Sequence, residues 1–308
     1  NIRPETVGAS LGDGAARIFR LVTGARGWLD AGMKICAITM VYRDYWALAQ
    51  WYRHYGALVG AEHLVVVAHG ADPKIAQICP EASILTVPRD DLSGFDGVRG
   101  RMLNGIQAGL AEVYDWVIRT DTDELICLDP AKHDSLESVF ADQKGQALFA
   151  LGLEVVQTDD GTFGVFSGHY SKAWAVRGGI PMKRHGVQVR PRRVAQFDYV
   201  MPDGVFLAHL KFANRAALAE TNVHRAEVAS GPGDGLPGKA WEDPEHEARK
   251  VQGQVMRMDA VDWQVAEQMA RRELAAGPTV DARIGLVRSR SFKLDCKCVL
   301  PGWFPELV

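Results

Sequence analysis

The chain has 308 residues, 47% of them hydrophobic and 24% charged, with a formal net charge of -3. This is the composition of a folded globular protein, and its mild acidity gives no general attraction for polyanions, so broad nucleic-acid binding is disfavoured. No apolar run reaches the ~20 residues that cross a bilayer, and the opening NIRPETVGASLGDG lacks the apolar stretch of a secretory signal, so a cytoplasmic location is expected. Five cysteines, Cys36, Cys79, Cys127, Cys296 and Cys298, imply no disulfide framework. Cys296 and Cys298 lack a second ligand pair at zinc-site spacing and are expected on the solvent side.

In chain order, residues 1–33 read as an N-terminal extension. KICAITMV (34–41) is an apolar, β-branched run, expected to be a buried strand with a polar end at Tyr42, Arg43 and Asp44. Asp44 is a plausible N-cap for a helix that aligns Leu48, Trp51, Tyr55, Leu58 and Val59, with Gly60 available to stop it. HLVVVAHG is a second strand, Asp72-Pro73 opens a short helix, and ASILTVP (82–88) is a third strand. Val98, Met102, Ile106 and Leu110 are expected to line the inner face of the next helix, and WVIR is the fourth strand. Alternating strands and helices with nearly continuous apolar strands predict a doubly wound α/β core, a mostly parallel sheet flanked by helices.

The second half reads as mixed. SLESVFADQ is a helix, QALFALGLEVVQT one long strand and VFLAHLKF another strand. Residues 229–246 are rich in Gly and Pro, and a helix from about Asp259 to Ala276 follows, with Val261, Val265, Met269 and Leu274 near one face. The basic, aromatic tail has no assigned place. Residues 34–228 are expected to form the nucleotide-binding core, and 229–308 to pack on it as loop, helix and tail.

The chemistry concentrates in WVIRTDTDELICLD (116–129), where a strand ends in Asp121, Asp123 and Glu124. Ligands of open parallel sheets bind beyond the carboxyl ends of the strands. On an extended backbone residues i and i+2 point the same way, so Asp121 and Asp123 can converge on one hard cation, or on a cation and a ribose hydroxyl. Phosphate oxygens are the usual remaining ligands of such an ion, which suggests a site completed by a metal-diphosphate. A calcium loop is disfavoured because Gly is absent at its turn and Leu125 and Ile126 stand at ligand positions. No GxGxxG follows the first strand and no GxxxxGK[ST] occurs. An aspartate-nucleophile phosphatase is a weaker alternative, since three strand-helix units precede the acidic run and Leu125 stands where that pattern wants Thr or Val.

Leu48, Trp51 and His54 in the first helix, GAEHLVVV, then Trp116, Asp121, Asp123, Glu124 and Leu125, and later Lys172, Val176, Arg177, His185 and His209, form an ordered set spread over residues 34–215. In this the chain resembles GT-A fold glycosyltransferases, in particular the family-two-like and family-92-like bacterial sugar transferases. It departs from them in carrying Arg43-Asp44 where the family usually has Asn-Glu. The resemblance implies transfer of a sugar from a nucleotide diphosphate donor, UDP-linked, to a saccharide or other hydroxyl acceptor in polysaccharide biosynthesis, with the mixed second half on the acceptor side.

It further implies Mn²⁺ or Mg²⁺ held by Asp121, Asp123 and His209, with Asp121 also contacting the donor. Lys172, Arg177 and Arg101 are basic candidates for stabilising the leaving diphosphate, and His185 is a further donor-binding position. Val41, Tyr42, Arg43, His69 and Asp72 are expected at the nucleoside, over the ends of the first two strands. An inverting transfer needs a carboxylate base, for which Glu154, Asp198 and Asp203 stand open. Residues 229–246 are a candidate lid. The basic tail allows peripheral contact with a membrane surface. A module of the same fold that binds a nucleotide or partner without turnover is the non-enzymatic alternative.

Overall fold

A computed structural model describes residues 32–307 except 91, 93, 142, 184 and 230–242. Most of the expected extension at 1–33 and most of the expected lid therefore lie outside the described residues. The first half alternates as anticipated: β1 (Ile35–Val41), α1 (Tyr45–Val59), β2 (Leu64–His69), α2 (Pro73–Ile78), β3 (Ser83–Val87), α3 (Phe95–Leu110) and β4 (Trp116–Arg119). These strands run parallel in the order β3-β2-β1-β4, in register Ala37 to Leu64 and Ile35 to Trp116. The order reverses between β1 and β4, the place where such sheets bind ligands.

Local chemistry explains the boundaries. Every residue of β1 is buried, which suits a strand covered on both faces. Gly60 ends α1 with a φ of 91°, a conformation glycine adopts at little cost. Asp72 caps α2 by accepting the Lys74 amide, with Pro73 in the first turn. The edge strand β3 is largely exposed, so coverage of both faces stops there.

α3 departs from the expected face. Val98 is 49% exposed, whereas Leu103 and Gln107 are buried and Met102, Ile106 and Leu110 are partly so. The helix is turned by about one residue, which brings Arg99 inward.

After β4 the chain changes sheets. β5 (Glu124–Leu128) belongs to a second, mixed sheet in the order β13 (Asp259–Val261), β16 (Cys296–Val299), β8 (Gly161–Phe166), β7 (Leu151–Thr158), β12 (Val205–Phe212) and β5. The helix in SLESVFADQ is α4 (Leu136–Phe140), opened by a capping box between Ser135 and Ser138. The expected long strand divides into β6 (Ala147–Phe149), in the first sheet, and β7 (Leu151–Thr158), in the second. β8 (Gly161–Phe166) pairs with β7, and β9 (Ala173–Val176) returns antiparallel to β4.

β10 (Met182–Lys183) and β11 (Gly186–Gln188) start a small antiparallel sheet, and β12 (Val205–Phe212) lies between β5 and β7. α5 (Arg215–Ala229) and α6 (Pro244–Met256) follow. The single helix expected over 259–276 is instead β13 (Asp259–Val261) and α7 (Trp263–Leu274). The tail supplies β14 (Thr279–Asp281) and β15 (Leu286–Arg288) to the small sheet and β16 (Cys296–Val299) to the second. Cys296 and Cys298 are thus buried strand residues rather than solvent-facing ones, and all five cysteines are free.

Candidate functional site

Residues 120–123 form the junction between the two sheets, closed by a hydrogen bond from the Glu124 amide to the Asp121 carbonyl (3.1 Å). The extended backbone expected through Asp121 and Asp123 is replaced by a turn. α1 holds this junction from behind. Trp51 Nε1 donates to Thr120 Oγ1 (2.9 Å), Tyr55 OH donates to the Glu124 carbonyl (3.2 Å) and accepts from the Ile126 amide (3.1 Å), and His54 Nε2 lies 2.8 Å from the Ile126 carbonyl. The helical Leu-x-x-Trp-x-x-His pattern is therefore a brace for the acidic turn.

The turn separates its carboxylates. Asp121 pairs with Arg99 from α3, and its other oxygen lies 3.5 Å from Lys172 Nζ. Lys172 lies 2.6 Å from Glu124 Oε1, and the other Glu124 oxygen accepts the Asp121 amide. Burial opposes ionisation of Asp121, yet the cations of Arg99 and Lys172 outweigh it and hold the carboxyl well below the usual range. At the more deeply buried Glu124 desolvation wins over Lys172, and the pKa is raised. Asp121 opens onto a cavity of about 1030 Å³, also lined by Lys172 and His185.

Asp123 faces the other way. Its Oδ2 lies 3.4 Å from His209 Nε2, and His209 Nδ1 lies 2.6 Å from Glu154 Oε1. Sheet register assembles this group: His209 on β12 is directly opposite Glu124 on β5 and beside Glu154 on β7, so the three share one row across neighbouring strands. Burial disfavours a charged His209, but Glu154 and Asp123 prevail and raise its pKa to about 10. The Tyr170 ring stacks on His209 at 4.1 Å. That stacking needs Gly152, where a Cβ would meet the Tyr170 backbone at 2.0 Å. Asp44, at the end of β1, is also near: burial and then the charge of Asp123 push its pKa up to about 6, against Arg225.

The expected nucleoside end is also assembled. Tyr42 has the Arg89 guanidinium 3.4 Å from its ring centroid and the His69 ring edge-on, with 6.3 Å between centroids, and Arg89 donates to His69 Nδ1 (2.8 Å). Burial, with the nearby arginines, takes the His69 pKa down to about 4. Val41 is buried at the end of β1. Asp72 is committed to capping α2 and to the Tyr45 hydroxyl (2.8 Å). Arg43 and His185 are the two non-glycine residues with positive φ among the described residues, at 50° and 66°. Such backbone strain often accompanies functional sites.

Other candidates lie elsewhere. Arg177 donates to the Lys144 carbonyl (2.7 Å) and sits over the Trp116 ring, at the opposite end of β4 from the acidic turn, because β9 runs antiparallel to it. Asp203 is tied to Lys132 and Arg271 on the surface, and Asp198 is exposed outside the cavity. Of the three base candidates only Glu154 is at the turn, where it is bonded to His209. Arg101 lines the cavity, but Arg99 is the arginine on Asp121. The 3.6-residue repeat through Arg99, Leu103 and Gln107 was the available signal for it. Asp44 stood out only as a cap and part of a polar pair, and nothing in the sequence marked Tyr170.

Among the described residues no group of three or more His, Cys, Asp or Glu side chains is placed to hold a metal ion. Asp123 and His209 are nevertheless an oxygen and a nitrogen donor facing each other, which fits two ligands of a divalent ion whose remaining positions go to water and phosphate. No helix among the described residues is long and apolar enough to cross a membrane.

No family model matches the chain, and no curated protein does. Among solved structures it is similar to a mannosyltransferase from Pyrobaculum calidifontis in complex with GDP-Man and Mn2+, at 13% identity over 87% of this chain and 83% of that one, with a TM-score of 0.38. It is similar to a mannose-1-phosphate geranyltransferase from Thermus thermophilus at 13% identity, over 85% and 76%, with a TM-score of 0.29. It also matches a cytidylyltransferase from Leptospira borgpetersenii serovar Hardjo-bovis at 15% identity and a TM-score of 0.27, over 38% of this chain and 54% of that chain's length. These likenesses are shallow.

Proposed function

We propose that the chain is a metal-dependent glycosyltransferase that moves a sugar from a nucleotide diphosphate donor, UDP-linked, to a hydroxyl acceptor with inversion. The observation that carries this reading is the braced acidic turn at the strand-order switch, with Asp121 on a large cavity beside Lys172 and His185 and with Asp123 facing His209. Tyr42 and the Arg89 guanidinium stacked on it would lie against the base at the ends of β1 and β2. Arg99 and Lys172 supply fixed positive charge where the leaving diphosphate develops negative charge, and their pairing with Asp121 and Glu124 keeps them oriented beforehand. Asp123 and His209 would hold Mn²⁺ or Mg²⁺, which would add charge neutralisation for the diphosphate. Glu154 fixes His209 through Nδ1, so that Nε2 is presented to Asp123.

One observation favours a second reading, a nucleotide-binding module without turnover: Asp121, Asp123 and Glu124 each already have a cationic partner in Arg99, His209 and Lys172. Incubation with Mn²⁺ and a panel of nucleotide sugars separates the two. Slow donor hydrolysis or transfer, together with thermal stabilisation by UDP, supports the enzyme. Stabilisation without any turnover supports the binding module, and neither effect with any nucleotide would overturn both.

A further inference from the structure

The cavity on which Asp121 opens is lined by six cations, Arg99, Arg101, Arg119, Lys172, Lys183 and Arg288, against two carboxylates, Asp96 and Asp121. Arg99 and Lys172 are engaged with Asp121 and Glu124. The other four have no carboxylate partner among the described residues. Arg119 is the most telling of them. It is largely buried, and its guanidinium is held by neutral oxygens: Asn104 Oδ1 at 2.7 Å, Gln107 Oε1 at 3.3 Å and the Met182 carbonyl at 3.5 Å. The same Asn104 accepts the Met182 amide and donates to its carbonyl, so a part-buried amide network fixes the cation at the cavity wall. Holding a guanidinium against neutral oxygens alone carries a desolvation cost that a bound anion would relieve.

Position separates this charge from the expected nucleoside end. Tyr42, His69 and Asp72, at the ends of β1 and β2, are not part of the cavity wall, which is built from α3, the end of β4, residues 168–173 and the small antiparallel sheet. Lys183 on β10 and Arg288 on β15 stand on that sheet, the wall contributed by the second half of the chain. We infer that the hydroxyl acceptor carries an anionic group, a phosphoryl or a carboxylate, recognised by Arg119 together with Lys183 and Arg288. This rests on the glycosyltransferase reading for the word acceptor; the anion site itself does not. Planar guanidinium groups match either oxyanion, and the neutral amides around Arg119 keep it unneutralised until the ligand arrives.

Calorimetric titration with glucose 6-phosphate, glucuronate, inorganic phosphate and glucose, each alone and with saturating UDP and Mn²⁺, tests the assignment. The expected result is that at least one anionic sugar binds about tenfold or more tightly than glucose, with UDP and Mn²⁺ present as well as absent. Comparison of the phosphate and the uronate arms tells which oxyanion is preferred, and inorganic phosphate shows whether the sugar is needed. The double variant Lys183→Gln/Arg288→Gln, at two exposed strand positions, should narrow the gap between anionic sugar and glucose about tenfold. Equal binding of glucose, displacement of the anion by UDP, or an unchanged gap in the variant would each overturn the inference. Failure of UDP and GDP to bind while an anionic sugar still does would instead overturn the donor reading and leave the anion site standing.

Discussion

Asp121 and Asp123 are two residues apart and live in different surroundings. Asp121 lies between Arg99 and Lys172, 40% exposed, on a cavity of about 1030 Å³. Asp123 is 16% exposed and has His209, Asp44 and Arg225 around it. The difference comes from the backbone. A strand would have aimed both carboxylates one way, whereas the turn that carries the chain from the first sheet to the second gives one to each side. The division suggests a division of labour, with Asp121 orienting cations toward the cavity and Asp123 offering an oxygen opposite His209.

Breaking that division should have its largest effect at Asp123. Asp123→Ala is expected to lower Mn²⁺-dependent turnover by about 10³-fold or more in a protein that still folds. Measured donor hydrolysis and UDP binding check this, and retained turnover would remove Asp123 from the site. On the other side, Lys172→Met strands the buried Glu124 and leaves Asp121 with Arg99 alone. It should cost about 3 kcal/mol in denaturant-induced unfolding, because an ionised carboxylate must then be buried unpaired or protonated.

A pH titration examines the brace that serves both sides. His54, hydrogen-bonded to the Ile126 carbonyl, is taken down to about 4 by burial, so between pH 6.5 and 4 the unfolded chain binds a proton that the folded chain does not. Stability supported by neutral His54 is thus complete above about pH 6.5 and falls as the pH drops toward 4. His69 and His185 act in the same direction, and Asp44, raised to about 6, opposes them. A folded His54→Gln variant should flatten the acid limb by at most about 3 kcal/mol, measured as unfolding free energy against pH. The smallest effect is expected away from the turn. Asp203→Asn breaks surface pairs with Lys132 and Arg271, and should change stability by no more than about 1 kcal/mol with turnover within about twofold of wild type.

Local chemistry made much of the first half legible. Apolar, β-branched β1, β2 and β4, the Asp72-Pro73 cap and the stop at Gly60 each follow from a few neighbouring residues, and their alternation specified a parallel sheet. What sequence could not show was pairing between distant strands. Nothing near Ala150 marks the transfer of QALFALGLEVVQT from one sheet to the other, and a run of uniformly buried residues reads as one strand. The row of Glu124, His209 and Glu154 exists only through the register of β5, β12 and β7. Arg99 was obscured because α3 is turned by about one residue, roughly 100° of helix, from the face expected, which puts Arg99 rather than Arg101 on Asp121. Arg177 was carried to the wrong end of β4 by the antiparallel return of β9, whose direction no local pattern encodes.

Anomalous diffraction from crystals grown with UDP and Mn²⁺ would locate the ion itself. A manganese peak is expected within ligand distance of Asp123 Oδ2 and His209 Nε2, with the diphosphate extending toward Lys172. A peak elsewhere, or UDP bound away from the acidic turn, would contradict that placement.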